Sequence, residues 1–168
     1  ELSFADEGEV MDAVEGMMVG LFSKILDYPV SRPFPRIEYE KAMDLYGSDR
    51  PDMRFGMELM DVSDLLGSSP FKVFKKVIEE GGVVKAINAK GGASLSRKEL
   101  DELNSMVIDS GARGLFWAKL GPDGWQSPLA KFLAPDMRSA VEERAGATEG
   151  DLIIFVSDMA QPANEALG

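Results

Sequence analysis

Hydrophobic positions along this chain recur at two different periods, and the change of period marks its parts. From Glu7 to Asp27, Val10, Val14, Met17, Leu21 and Ile25 recur at helical spacing, with Met11, Met18 and Phe22 widening the stripe. Asp6, Glu7 and Glu9 favour the start of that helix through its dipole, and Tyr28-Pro29 ends it. Gly16 and Gly20 cost the helix about 1 kcal/mol each relative to Ala, which fits either close packing against a neighbour or a merely imperfect helix. Pro29, Pro33 and Pro35 then predict an extended connector, followed by a short helix over Tyr39–Leu45. Partial alternation of Met53, Phe55, Met57 and Leu59 predicts a strand over 53–62.

Beyond residue 65 the pattern becomes regular. Phe71–Glu80 mixes apolar and basic residues as a strand or a short helix, and Val83–Ala89 reads as a strand after the Gly81-Gly82 break. Ser96-Arg-Lys-Glu99 has capping-box spacing and opens a helix to about Ser110, with Leu100, Leu103, Val107 and Ile108 facing inward. Gly114–Leu120 is a strand, Gly121-Pro-Asp-Gly124 a turn, and Trp125 the start of a returning hairpin strand. Pro135–Ala145 is a helix, and Asp151–Ser157 is the most hydrophobic strand of the chain. The order β-α-β-β-α-β implies an α+β, two-layer domain with helices on one sheet face. Asn164–Gly168 reads as the first turns of a helix with no apolar partner, so the chain is expected to be an excised fragment.

Composition narrows the chemistry. With no Cys and no His among 168 residues, thiolate and imidazole metal sites, a cysteine nucleophile and the commonest general base are all absent. No apolar run approaches the roughly 20 residues that span a bilayer, so no membrane partner is expected and the cytoplasm is the default. A net charge of −11 argues against binding a polyanion with the whole surface. The charge is uneven, however: residues 1–70 carry 6 Lys/Arg against 15 Asp/Glu, and residues 71–131 carry 10 against 7. Lys85, Arg113, Lys119 and Lys131, with Arg97 and Lys98, make up much of that basic middle. It is either a solvated mixed surface or a weak patch facing RNA.

Paired acids such as Glu79-Glu80 and Glu142-Glu143 read as solvated faces, and Gly81-Gly82 and Gly91-Gly92 as turns rather than phosphate cradles. Phe116, Trp117 and Trp125 could stack on bases, but strand alternation puts at least one of them in the core. Nothing assembles a nucleophile, a base and an oxyanion hole, so no catalytic residue and no metal ligand set are assigned. One segment is built to present groups: Tyr46-Gly47-Ser48-Asp49-Arg50-Pro51-Asp52, dense in residues that shape the backbone.

The run Arg32-Pro-Phe-Pro-Arg-Ile-Glu-Tyr39 through Tyr46-Gly-Ser-Asp-Arg-Pro-Asp-Met-Arg-Phe-Gly-Met-Glu-Leu59 resembles bacterial-type aspartyl-tRNA synthetases of class II. Ser96-Arg-Lys-Glu-Leu-Asp101, Gly111-Ala-Arg-Gly-Leu-Phe-Trp-Ala-Lys119, Ser127-Pro-Leu-Ala-Lys-Phe132 and Gly150-Asp-Leu-Ile-Ile-Phe-Val-Ser-Asp158 are similar to the GAD-type insertion of that family. The insertion is shared with an archaeal tRNA-dependent amidotransferase subunit, which is the alternative reading, along with a non-catalytic tRNA-binding or spacer module. The resemblance is collinear over nearly the whole chain. It implies a class II catalytic-domain segment over 1–60, the insertion over 61–160 and a return to the catalytic domain over 161–168.

The resemblance implies a parent enzyme that would aspartylate tRNA using ATP and Mg²⁺ and would pair as a homodimer through its catalytic domain. Residues binding ATP and aspartate would lie outside this chain, whose partner is then the rest of the synthetase. Tyr46, Gly47, Ser48, Asp49, Arg50 and Asp52 would form a loop on the active-site side, with Arg50 where the family usually has Lys. Lys85, Arg113, Lys119 and Lys131 would face tRNA near its acceptor end. The chain alone would be inactive. The apolar stripe over 7–27 is then expected to be exposed or docked on a second copy. Dye binding or self-association should reveal it, and a strictly monomeric, dye-silent protein would contradict it.

Overall fold

A computed structural model describes residues 3–168. Packing divides the chain into two compact units, the first ending at Ile37 and the second running Glu38–Gly168. The 60/61 division implied by the resemblance rests on kinship rather than packing, so the two boundaries measure different things.

In the first unit, helix α1 spans Glu7–Leu26. Its capping box is complete: the Asp6 carboxylate accepts from the Glu9 amide at 2.9 Å, and the Glu9 carboxylate accepts from the Asp6 amide at 3.0 Å. Val10, Val14, Met17, Leu21 and Ile25 are exposed, Ile25 at 71%. Outside the helix itself, no described atom lies within 4 Å of a Cβ built on Gly16 or Gly20. Close packing among the described residues therefore does not explain these glycines. The buried Glu15 ties down the proline-rich connector. It accepts from the Phe34 amide at 3.0 Å and from Arg32 Nε at 3.3 Å.

The second unit begins with α2, Tyr39–Tyr46, and a single 3₁₀ turn at Met53–Phe55. The strand expected over 53–62 shrinks to β1, Met60–Asp61. Asp52 caps the 3₁₀ turn by accepting from the Arg54 amide at 3.1 Å, and Gly56 leaves it at φ 61°. That geometry curls the segment before it can extend. Next come α3 (Ser63–Leu66), α4 (Lys72–Glu79), β2 (Val83–Ala89), α5 (Arg97–Asp109), β3 (Leu115–Gly121), β4 (Gly124–Gln126), α6 (Pro135–Ala145), β5 (Leu152–Asp158) and α7 (Ala160–Leu167). Phe71–Glu80 is thus a helix, whose Phe74 and Val77 face inward. The Ser96–Glu99 capping box opens α5 with both of its bonds made.

Strands order β1-β2-β5-β3-β4, every pair antiparallel. β5 is central, with Phe155 opposite Ala86 on one side and Phe116 on the other. The fold is α+β, as expected, but the layer count differs. Ile153 and Phe155 pack with Leu66, Phe74 and Val141 of α3, α4 and α6. Leu152, Ile154 and Val156 point the other way, to Leu100 and Val107 of α5 and Ala163 of α7. Helices therefore cover both faces, and the sheet is the middle of three layers. Every residue of β5 is buried, which is why its sequence is a continuous apolar run rather than an alternating one.

Two smaller expectations also give way. Ile108 is exposed, because Leu100 and Val107 already define the inward line of α5. The last helix has an apolar partner: Ala163 is buried among Val107, Ala112 and Val156. Phe155→Ala should cost about 3–5 kcal/mol by leaving a cavity in the aromatic layer, whereas Ile108→Ala should stay within about 0.5 kcal/mol. Urea unfolding of the two variants separates these outcomes.

Candidate functional site

The Tyr46–Asp52 loop springs from the end of α2. Gly47 caps that helix in the left-handed region at φ 67°, its amide donating to Met43 O at 3.0 Å. Ser48 Oγ accepts from the Arg50 amide at 3.2 Å, a local turn bond of the kind these residues favour. Asp52 accepts from Arg54 Nε at 2.8 Å, and this guanidinium pushes its carboxyl down to about 2. Tyr46 Oη donates to Glu58 at 3.0 Å, which raises the phenol above its ordinary value and ties the start of the loop to the segment that follows it. Leu59, seven residues past the loop, is buried and donates its amide to Leu45 O at 2.7 Å.

Beneath the loop runs an open cleft of about 260 Å³, whose far wall is formed by Ile87, Leu167 and Gly168. It is smaller than the roughly 300–1,000 Å³ usual for small-molecule sites. The cleft reads instead as part of a contact surface. Arg50 lies on its rim, its side chain 92% exposed and its Nε 3.6 Å from the Asp49 carboxylate. Phe55 is 70% exposed, and Met53 and Met57 are exposed beside it. Exposed aromatic, Met and Arg side chains are the composition enriched at protein interfaces.

The four cations expected to face RNA do not converge. Lys85 is 4% exposed; its ammonium donates to Asp44 Oδ1 at 3.1 Å and Asp44 O at 3.3 Å. It is a buried lysine whose charge is met by an exposed carboxylate, not part of an outward basic patch. Lys119 donates to Leu95 O and is half-buried. Arg113 lies 3.5 Å from Asp158 and 3.8 Å from Glu80, with more than half of its side chain exposed. Lys131 is exposed, its ammonium 4.9 Å from the Phe132 ring centroid. Arg113 and Lys119 are six residues apart along an extended segment, about 20 Å. The aromatic candidates are also occupied. Trp125 is buried and donates to Glu142, Phe116 packs edge-on to Phe71 and Phe74, and Arg97 lies over Trp117.

Sequence reasoning passed over two carboxylates that organise this unit. Asp151 is 6% exposed and accepts from the Gly91 amide at 2.9 Å, the Thr148 amide at 3.0 Å and Asn88 Nδ2 at 3.3 Å. Those bonds, the Thr148 amide first, hold its carboxyl below the usual range. Asp158 accepts from the Arg113 amide at 3.0 Å and the Met159 amide at 2.8 Å. The available signal was an Asp directly flanking each end of the most apolar run. Among the described residues no three carboxylates gather where they could hold a metal ion. Among the described residues no helix is long and apolar enough to cross a membrane.

The model of the GAD domain matches residues 74–167. Over its whole length the chain is 46% identical to the aspartate–tRNA(Asp/Asn) ligase of Desulfotalea psychrophila. It is 45% identical to the enzyme of that name from Aquifex aeolicus, and 44% identical to the aspartate–tRNA ligase of Bacillus licheniformis. In each case the chain spans 28% of the relative's length.

Asp151 also sets a pH dependence. Because its native carboxyl titrates below the unfolded value of about 3.9, its contribution is complete above that value. The contribution is lost as pH falls through the native one. Asp151→Asn should cost about 1–3 kcal/mol at neutral pH and shrink the difference from wild type below pH 4, as thermal unfolding at several pH values would record.

Proposed function

We propose, for a chain that belongs to the GAD domain family, that it is the part of an aspartate–tRNA ligase in which that domain joins the catalytic body. One observation carries the reading: all of the chain, not the domain alone, runs alongside aspartate–tRNA ligases at 40 to 46% identity. An amidotransferase subunit would account for residues 74–167 but not for the residues upstream of them.

In the parent enzyme ATP and Mg²⁺ would activate aspartate, which would then pass to tRNA. The chain's share in that chemistry is positional. The exposed stripe of α1 and the Arg50, Met53, Phe55, Met57 surface are fitted to be covered by the rest of the ligase. Arg113 and Lys131, the exposed members of the four, would meet the acceptor side of tRNA, in a parent that works as a cytoplasmic homodimer formed through its catalytic domain.

Two measurements test this. The purified chain should show no aspartate-dependent ATP–pyrophosphate exchange, and exchange above background would overturn the positional role. In the full-length ligase, Arg113→Glu with Lys131→Glu should weaken tRNA binding and lower the log–log salt slope by about 1 to 2. Unchanged affinity in a folded variant would leave the domain as a spacer.

A further inference from the structure

We propose that Lys85 and Gly47 are positioning residues that latch the Tyr46–Asp52 loop onto the sheet, so that loop and GAD domain move as one body. Lys85 sits on β2, opposite Val156 of β5 and Asp61 of β1, where it is held by ladders on both sides. Its side chain is buried, and the partners of its ammonium are the carboxylate and carbonyl of Asp44. An unpaired buried ammonium costs several kcal/mol, so the sheet favours the one position of α2 that supplies those oxygens. Asp44 lies in the last turn of α2, where the helix dipole also favours a cation. It stands two residues before Tyr46.

A second contact fixes the next residues. A Cβ on Gly47 would collide with the backbone oxygen of Asn164 and come within 3.0 Å of Gly168 Cα. One on Gly168 would collide with Tyr46 O. With Gly47 at positive φ as well, only glycine permits this approach of the loop to α7. Beyond the loop the Leu59 amide bonds Leu45 O, and β1, which follows at once, pairs with β2. The chain on either side of the loop is thus tied to a domain whose family match begins only at residue 74. Reorienting that domain must carry the loop with it.

Hydrogen exchange on this chain reads the latch directly. Lys85→Met should speed exchange of the Gly47 and Leu59 amides about tenfold, while that of Ile154 in β5 stays unchanged. Asp44→Ala, at an exposed position, should do the same, and the double variant should add little to either single one. Should Lys85→Met not fold, Asp44→Ala still decides the matter. Unchanged Gly47 and Leu59 exchange in Asp44→Ala, or effects that simply add, would overturn the latch.

A second readout rests on the proposed function. In the full-length ligase Lys85→Met should lower kcat/KM for aspartylation about tenfold without lowering Tm, and Lys85→Arg should restore part of the loss. Faster exchange with unaltered aspartylation would keep the latch and remove the loop from the active-site side. Unaltered exchange with lost aspartylation would do the reverse.

Discussion

Everything in the second unit depends on β5 being buried on both faces and paired on both edges. Its backbone is paired to β2 and β3, and its side chains alternate between two apolar layers. A strand in that position has no freedom of register, since a one-residue slip would exchange the layers. Buried aspartates stand at both ends. Asp151 collects the amides of Gly91 and Thr148, and Asp158 those of Arg113 and Met159. Each carboxylate thereby pins the backbone of the loops on either side of it. The strand thereby fixes the turns around it as well as the core.

That rigidity explains where the chain can and cannot present chemistry. Aromatic side chains on β3, β4 and α4 are consumed in the layer around Phe155, with ring centroids 4.8 to 6.3 Å apart. Lys85 and Lys119 are consumed by internal oxygens. The segment after α2, by contrast, keeps Arg50, Met53, Phe55 and Met57 exposed. The loop is held by a glycine approach, the Lys85–Asp44 ion pair and the Tyr46–Glu58 bond.

Local signals were legible where local forces decide. The capping boxes at Asp6 and Ser96, the Gly121–Gly124 turn and the apolar run of β5 each rest on neighbours within a few residues. The kinship was legible too, because the Tyr46–Leu59 and Gly150–Asp158 segments are distinctive in order as well as content. Alternation over 53–59 misled, since capping by Asp52 and the positive φ of Gly56 outweigh a side-chain period. The layer count misled for a different reason: a continuous apolar strand reports double burial but does not say which helices supply it.

The sequence by itself determined the family, the elements from Val83 to Asp158 and the density of shape-setting residues in the Tyr46–Asp52 loop. Each of these is written in residues adjacent along the chain. Only the tertiary structure decided what Lys85 does. Its partner, Asp44, is 41 residues away, and neither residue carries a local sign that one is buried and the other waits for it. The same holds for Gly47 against Asn164 and Gly168. A close backbone approach between distant segments leaves no period and no motif, only a glycine, and a glycine alone is consistent with many turns.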